Sequence, residues 1–436
     1  ITNLFLKSLD GTANGDISIK SLFKNDIAKV DIKQAKFEGK VNTKNISIDK
    51  AIKGLAVKIP NKFFPYGNID SSSTLKGSLL SPEVDTTFVT SKVSFDDKYS
   101  KIPDINTFNG KVHYSEKLIN FNGNIGTGDF GKTNIDLNLK DLDLIEVSTS
   151  FSNLKHNVIS SFVPIISTSN GDLSGHVMTS FSLAKLNKTD NFSIETIPQV
   201  LKIKANTQIN SLSVLPNKKV GWINNTDGSF AIDTFNNDIK AKFNLFANNL
   251  GNVRGDTTLG ISNSKLNLRL SAFPVKILQV IEPKLKVKSG TLNLISNTNG
   301  NINGLIKNFS VANLAKYIDT DTQINLKKGN LLYKLNGEDI TLTNWFGDID
   351  VKLNQGKMKS DIFLDSKEYG IAKGFINLDK NSNLKAKITN EKIDLKNVNK
   401  FTKAIDVKNG ILSFDLLADG NISNIQENPE KLVFKG

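Results

Sequence analysis

The chain has no cysteine, only 3 histidines and only 2 tryptophans among its 436 residues. Without cysteine it forms no disulfide, no thiolate metal site and no iron–sulfur cluster, and it has no cysteine nucleophile. The sequence also lacks any run of about 18 consecutive apolar residues, the length that a membrane-crossing helix needs. These absences exclude thiol chemistry, disulfide-stabilised folds and helical membrane spans within this sequence.

Arginine is nearly absent too, since the basic residues are lysines apart from Arg254 and Arg269. The formal net charge is nevertheless +13. Specific recognition of phosphates and base edges favours the planar fork of arginine. The lysines are spread along the chain among Asp, Asn and Ser. We therefore interpret the charge as a solvated surface rather than an anionic-membrane patch, and we predict no nucleic-acid partner.

The sequence contains no GxSxG nucleophile elbow and no HExxH metalloprotease motif. His113 and His176 lie in strand-like runs, where a histidine is usually solvent-facing. Close carboxylates such as Asp319 and Asp321 do not continue into a calcium-binding loop. We therefore predict no catalytic residue, no metal site and no cofactor, and we expect that the protein is not an enzyme.

Most of the chain alternates between apolar and polar residues with a period of two. Such alternation places one face of a strand in an apolar environment and the other face in water. The pattern predicts an all-β chain of short antiparallel strands in which sequential neighbours pair. Four of the clearest runs contribute the apolar residues Ile135, Leu137, Leu139, Leu201, Ile203, Leu266, Leu268, Leu270, Ile349, Val351 and Leu353.

Asn-Gly and Asp-Gly dipeptides lie between the alternating runs, and five of them are singled out as turns. Glycine and asparagine supply the positive φ angles that tight hairpins need, so we predict turns at these sites. These five dipeptides are Asn109-Gly110, Asn122-Gly123, Asp227-Gly228, Asn336-Gly337 and Asp419-Gly420.

Three short amphipathic stretches, each sufficient for a helix of two or three turns at most, interrupt the strands. They are residues 158–163, 277–281 and 398–405. Each stretch is followed by a glycine, namely Gly171, Gly290 or Gly410, and an earlier copy of the pattern has Gly67. The spacings between these glycines are 104, 119 and 120 residues. We predict one array of repeats, with approximate units 1–50, 51–154, 155–272, 273–396 and 397–436.

The predicted strands far outnumber the helices that would cover a sheet in an α/β protein. Their apolar faces either pack against each other, as in sandwiches and solenoids, or line a groove that holds an apolar ligand. At roughly 12 residues per strand and turn and about 4.8 Å between strands, one continuous sheet would exceed about 100 Å. That length favours a groove, along which an apolar ligand moves, over a pocket that holds a ligand at one place.

The run Ser73–Asp85, with the sequence STLKGSLLSPEVD, resembles the recurrent glycine-to-proline phrase of AsmA-like and TamB-type proteins. The segment from Phe273 to Leu292 resembles the helix-then-glycine unit of the same family. Shorter segments that resemble the same unit begin at Asn170 and Asn409. Only the first copy keeps the glycine-to-proline phrase. In three copies a second glycine follows ten residues after the first (Gly77, Gly300 and Gly420), whereas the copy at Gly171 has Phe181 there.

The resemblance implies an all-β fold with a few short helices: an elongated repeating β-groove, or β-taco, of antiparallel amphipathic strands. Its apolar concave face would shield phospholipid acyl chains during transport between the inner and outer membranes, and the eleven alternating apolar residues become candidates for the groove lining. The family implies a periplasmic location, an N-terminal anchor in the inner membrane and an outer-membrane barrel partner in envelope biogenesis.

The chain begins at Ile1 without an initiator methionine and ends in the strand-like run 431–436. We therefore expect a piece of a longer protein, whose membrane contacts lie outside this sequence.

Two other classes of function stay open at this point. One is a structural or adhesive surface β-repeat protein without a lipid groove, although solenoid repeats are usually about 20–30 residues long. The other is a carbohydrate-active enzyme, which would need paired acids in a cleft with aromatic platforms. The chain offers only Trp222, Trp345 and 6 tyrosines for such platforms.

Overall fold

The computed structural model is all-β with a few short helices, as predicted, and its strands form two units. Unit 1 comprises Ile1–Pro216 and Asn225–Asn236, and unit 2 comprises Asn217–Asn224 and Asn237–Gly436. The structure describes residues 4–20, 35–54, 59, 61–78, 80–95, 101–126, 128–162, 166–188, 196–215, 221–260, 263–277, 285–301, 317–335, 338–366, 369–381, 383–398, 408–421 and 433–435.

Unit 1 is an antiparallel meander in which strands pair in sequence order from β1 to β9, after which β9 pairs with β11 and β11 with β12. Its strands are β1 (Leu4–Ser8), β2 (Gly11–Lys20), β3 (Lys36–Ser47), β4 (Pro65–Ser78), β5 (Pro82–Phe95), β6 (Phe108–Ser115), β7 (Leu118–Ile125), β8 (Lys132–Lys140), β9 (Leu144–Lys155), β10 (Ser167–Thr168), β11 (Asp172–Ser182), β12 (Leu201–Leu215) and, from Asn225 onward, β13 (Ile223–Asp233). Its helices are α1 (Ile48–Gly54), α2 (His156–Phe162), α3 (Leu183–Asn187) and α4 (Ile197–Val200), with the 3-10 turns η1 (Asn61–Phe63) and η2 (Gly128–Phe130).

Unit 2 is likewise an open antiparallel meander, from β14 to β24 in sequence order. Its strands are β14 (Ile239–Ala247), β15 (Gly251–Leu259), β16 (Ser264–Pro274), β17 (Leu285–Gly300), β18 (Ile318–Leu335), β19 (Glu338–Asn354), β20 (Lys357–Ser366), β21 (Gly370–Leu378), β22 (Asn383–Asp394), β23 (Ile411–Asn421) and β24 (Val433–Lys435). The 3-10 turn η3 (Val275–Ile277) and the helix α5 (Leu395–Val398) interrupt it.

The predicted turns at the glycine dipeptides are wrong in four of the five cases. Four of these glycines lie inside β6, β7, β13 and β23, and residues 336–337 lie outside the described residues. Gly110 and Gly123 pair directly across β6 and β7. A Cβ on Gly110 would lie 2.5 Å from Asn122 O on β7 and 2.9 Å from the ring of Phe88, so close contacts within the sheet, and not a turn, require the glycine there. Tight hairpins form instead at Leu9-Asp10 and Gln355-Gly356, where both residues of each pair have positive φ.

A β-bulge, a short helix and a glycine recur four times in the same order. The bulge residues Asn45, Asn153, Ala272 and Lys392 have positive φ, and each precedes the first residue of α1, α2, η3 or α5 by three positions. The glycines of the predicted repeat, Gly67, Gly171, Gly290 and Gly410, follow these helices and also share positive φ. Apart from the two-residue β10, six of the described strands lie in sequence between successive helices of this set.

One hydrogen bond fixes each bulge, and its acceptor always lies three residues after the repeat glycine. The backbone N–H of the bulge residue donates to a side-chain oxygen on the next strand. The pairs, donor first, are Asn45 and Asp70 (2.6 Å), Asn153 and Ser174 (3.1 Å), Ala272 and Asn293 (2.9 Å), and Lys392 and Ser413 (3.4 Å). This pattern could not be predicted from the sequence, because the four acceptors belong to three residue types that share only a short side chain with an oxygen.

Many of the fully buried apolar residues gather around the short helices. In unit 1, Val158 of α2 and Phe130 of η2 pack with Ile102 and Ile125. In unit 2, Val275 of η3 packs with Val287 and Leu292. Six antiparallel pairings separate β3 from β9, so these two strands run in the same direction. The helices α1 and α2, which follow them, therefore lie at the same end of the strands of unit 1.

The predicted helix at 158–163 is confirmed as α2, and Val163 lies outside the described residues. The predicted helices at 277–281 and 398–405 fall mostly outside the described residues, which contain only η3 and α5 at their starts.

Candidate functional site

The strand registers separate the described residues of each unit into a charged face and an uncharged face. The middle row of the uncharged face crosses ten strands of unit 1 at Gly15, Val41, Ser73, Thr86, Val112, Phe121, Leu137, Val147, Thr179 and Ile203. In unit 2 it runs through Phe243, Gly255, Leu268, Ser296, Thr322, Val351, Ser360, Ile376, Ala386 and Ala418. The flanking rows, two residues away on each side, also contain no Asp, Glu, Lys or Arg among the described residues.

The five candidate groove residues of unit 1 share this uncharged face. Leu137 on β8 is connected through Val147 and Thr179 to Ile203 on β12, because each pair lies directly opposite in register. Ile135 and Leu139 lie on the same face of β8, and Leu201 occupies the flanking row on β12. All five side chains are half-buried.

The six candidates of unit 2 also share one face. Leu268 on β16 is connected through Ser296 and Thr322 to Val351 on β19. Their neighbours complete the two flanking rows, and all six side chains are half-buried. The residues are Leu266, Leu268 and Leu270 on β16, and Ile349, Val351 and Leu353 on β19.

The half-burial of this face indicates that neighbours on the same sheet shield the side chains from the sides but not from above. Only 15 apolar residues in the described part of the chain are fully buried. The described strands contact chiefly the strands to which they are hydrogen-bonded. A sandwich would bury both inner faces between two packed sheets, whereas this face stays partly open to solvent.

Three phenylalanine rings lie together on the uncharged face of unit 1. The centroids of Phe88 and Phe108 are 5.2 Å apart, and Phe121 lies 6.1 Å from Phe88 and 6.0 Å from Phe108. Cβ atoms on Gly110 and Gly123 would lie 2.9 Å or less from these rings. The rings therefore occupy the space above the glycines and lie along the sheet.

In the described part of each unit, hydroxyl groups on the uncharged face that are hydrogen-bonded to one another form one patch, and neither patch was predicted from the sequence. In unit 1, Thr43 Oγ1 lies 2.8 Å from Ser71 Oγ, and Ser73 Oγ lies 2.9 Å from Thr86 Oγ1. In unit 2, four hydroxyls from Ser296, Thr298, Thr320 and Thr322 are hydrogen-bonded to one another. The sequence signal was a serine or threonine at apolar positions of the alternation.

The charged face carries cross-strand ion pairs and a shallow polar cleft. Lys352 lies 3.6 Å from Asp321, with both side chains more than half exposed. In unit 1, a cleft of about 750 Å³ is lined mainly by polar and charged side chains of β3 to β8. There His113 Nδ1 lies 2.7 Å from Asp85 Oδ1. His176 lies exposed on the same face of β11.

The described residues hold neither a metal-ion cluster nor a membrane-crossing helix. No three or more His, Asp or Glu side chains come close enough together there to hold a metal ion. Among the helices that the structure describes, none has the length and apolar character to cross a membrane.

Comparisons with known proteins add no relative: no family model, curated protein or solved structure matches the chain.

Proposed function

We propose that the uncharged faces bind phospholipid acyl chains, and that the chain is the central part of a lipid-transfer or envelope-assembly protein. One observation carries this proposal: the described sheet face is free of charge over ten strands in each unit, yet most of its apolar side chains are only half-buried. Such a face is unfavourable in water. An acyl chain lying on it gains up to about 0.8 kcal/mol for each methylene that leaves water.

The lack of charged residues on this face supports movement along it as well as binding. No cation on the described rows would hold a phosphate at one position, so the attraction is spread evenly over apolar groups. A lipid bound in this way can slide, which transport between two membranes requires.

The cellular location that we propose is the one implied by the family that the sequence resembles. We propose that the protein works in the periplasm and transports phospholipids between the inner and outer membranes. An N-terminal anchor in the inner membrane and an outer-membrane barrel partner would complete it, through segments outside this sequence.

The experiment compares the same kind of charge on the two faces. Leu268→Asp and Val351→Asp each place a carboxylate on the uncharged face, whereas Ile295→Asp places one on the charged face, opposite Arg269. Ile295 is 41% exposed, so its replacement leaves the apolar rows intact. Native mass spectrometry then measures the phospholipid that copurifies with each folded variant.

We expect the wild type and Ile295→Asp to copurify with several phospholipids, and the two uncharged-face variants to lose most of them. Equal lipid content in all folded variants would refute lipid binding on this face. A wild-type chain without any lipid would favour the structural or adhesive alternative.

A further inference from the structure

The hydroxyl patch of unit 2 lies in the middle of the candidate groove lining. Ser296 lies opposite Leu268 of β16, and Thr322 lies opposite Val351 of β19. Ser296 Oγ and Thr322 Oγ1 are 2.8 Å apart. The second pair, Thr298 and Thr320, is 2.7 Å apart and lies between Leu266 and Leu353 in the next row. The patch is therefore bordered by apolar residues on both sides.

The patch has hydrogen-bonding capacity that its own members do not use up. Each hydroxyl has one donor and two acceptor lone pairs, so four hydroxyls satisfy one another's donors in several alternative ways. Thr320 Oγ1, for example, lies 2.7 Å from Thr298 Oγ1 and 3.0 Å from Thr322 Oγ1. All four side chains are half-buried and lie on the partly open face. A hydroxyl can thus rotate its donor toward a ligand while a neighbour replaces the lost bond.

The same arrangement recurs at the equivalent position of a different repeat. Ser73 lies six residues after Gly67, and Ser296 lies six residues after Gly290. Each serine pairs with a threonine on the next strand, and the Ser73 Oγ to Thr86 Oγ1 distance is 2.9 Å. The other two repeats have Val177 and Leu416 at this position. The hydroxyl pair therefore occurs in one repeat of each unit.

We propose that each hydroxyl patch binds the ester carbonyls of a diacyl glycerolipid whose acyl chains lie on the neighbouring apolar rows. This inference rests on the proposed function. The ester carbonyl is a neutral hydrogen-bond acceptor that adjoins an acyl chain, just as the patch adjoins leucine and valine side chains. A phosphate or a carboxylate would instead call for a cation, and the described rows of this face carry none.

The test compares a diester phosphatidylethanolamine with its dialkyl ether analogue, which has the same chains and headgroup but no carbonyl. Binding of both probes is measured by titration with the whole chain. Two patch variants remove the hydroxyls while keeping similar side-chain volumes. The unit 1 variant combines Thr43→Val, Ser71→Ala, Ser73→Ala and Thr86→Val; the unit 2 variant combines Ser296→Ala, Thr298→Val, Thr320→Val and Thr322→Val.

We expect the wild type to bind the diester about fivefold more tightly than the ether, which corresponds to one net hydrogen bond. Each patch variant should weaken this preference, and the two combined should abolish it while keeping the affinity for the ether. Thr258→Val, on the opposite face of β15, is the matched control and should keep the full preference. Restoring Ser296 and Thr322 in the combined variant should return part of the preference, which also shows that the chain still folds.

The outcomes separate this inference from the proposed function. Equal wild-type affinity for the two probes, or an unchanged preference in the combined variant, overturns the ester sites and leaves acyl-chain binding intact. If neither probe binds the wild type, the proposed function itself fails.

Discussion

Replacing Gly171 with alanine tests whether the recurrent glycines hold the repeat together. Gly171 precedes β11 with a φ of +85°. A Cβ there would lie 2.5 Å from Leu212 Cα and 2.6 Å from Asn210 O, both of which are backbone atoms of β12. The Gly171 carbonyl also accepts the N–H of His156, the first residue of α2, at 3.2 Å. Any shift of this glycine therefore disturbs both the sheet and the start of the helix.

Three contributions set the size of the effect. A non-glycine residue at positive φ costs about 1–2 kcal/mol, and forcing a methyl group against packed atoms costs about 1–3 kcal/mol. The smaller entropy of the unfolded alanine chain returns about 0.4–1 kcal/mol. We therefore expect Gly171→Ala to lower the free energy of unfolding by about 2–4 kcal/mol. For a unit of this size that is a fall in Tm of about 5–15 °C.

Differential scanning calorimetry of the whole chain measures this shift, with Gly54→Ala as the control. Gly54 ends α1, and a Cβ there has no atom within 4 Å, so its substitution should leave Tm unchanged or raise it slightly. Gly171→Asn separates the two unfavourable terms, because asparagine tolerates positive φ but keeps the Cβ; it should recover about 1 kcal/mol. A Tm of Gly171→Ala within about 1 °C of the wild type would refute the reasoning.

Two further measurements test local features of the repeat. Asn293→Ala removes the acceptor of the Ala272 N–H, so it should lower the free energy of unfolding by about 0.5–1.5 kcal/mol in denaturant titrations. Asn297→Ala, on the same face of β17, should change it by less than about 0.5 kcal/mol; equal effects would contradict a special role for the bulge. Hydrogen bonds from the Ala184 N–H and then the Ser182 hydroxyl hold the pKa of Asp143 below its usual 3.8. Its contribution is therefore complete above pH 3.8 and disappears as the pH falls through the lowered pKa, so the stability of Asp143→Asn should fall less with acid than that of the wild type between about pH 4 and 2.

The two faces of the sheet could be predicted from the sequence because side chains alternate with a period of exactly two residues along any strand. Leu266, Leu268 and Leu270 alternate with Lys265, Asn267 and Arg269, and no arrangement of extended backbone can mix the two sets. The antiparallel order of the strands followed from the same runs, since short connections favour pairing between sequential neighbours.

The positions of the turns could not be predicted because glycine has more than one use in a sheet. In this chain Gly110 and Gly123 make room for aromatic rings, and the hairpin at Leu9-Asp10 adopts positive φ without glycine. The hydroxyl patches escaped prediction for a related reason. Threonine favours strands whatever it contacts, so only the register brings Ser296 and Thr322 together.

The bulges offer a physical reason why an open, uncharged face keeps its register. A slip of one residue would exchange the faces of a strand and place Lys265 and Arg269 among the leucines. Ion pairs on the charged face oppose this weakly, since an exposed pair such as Lys352 and Asp321 contributes at most about 1 kcal/mol. A bulge is different, because its N–H reaches the side-chain acceptor in one register only. The Ala272 N–H, for example, donates to Asn293 Oδ1. With one bulge before each of four short helices, an error in pairing stays confined to about six strands. The described strands, over which no second sheet is described, thus obtain from their backbone the alignment that a packed core supplies in a sandwich.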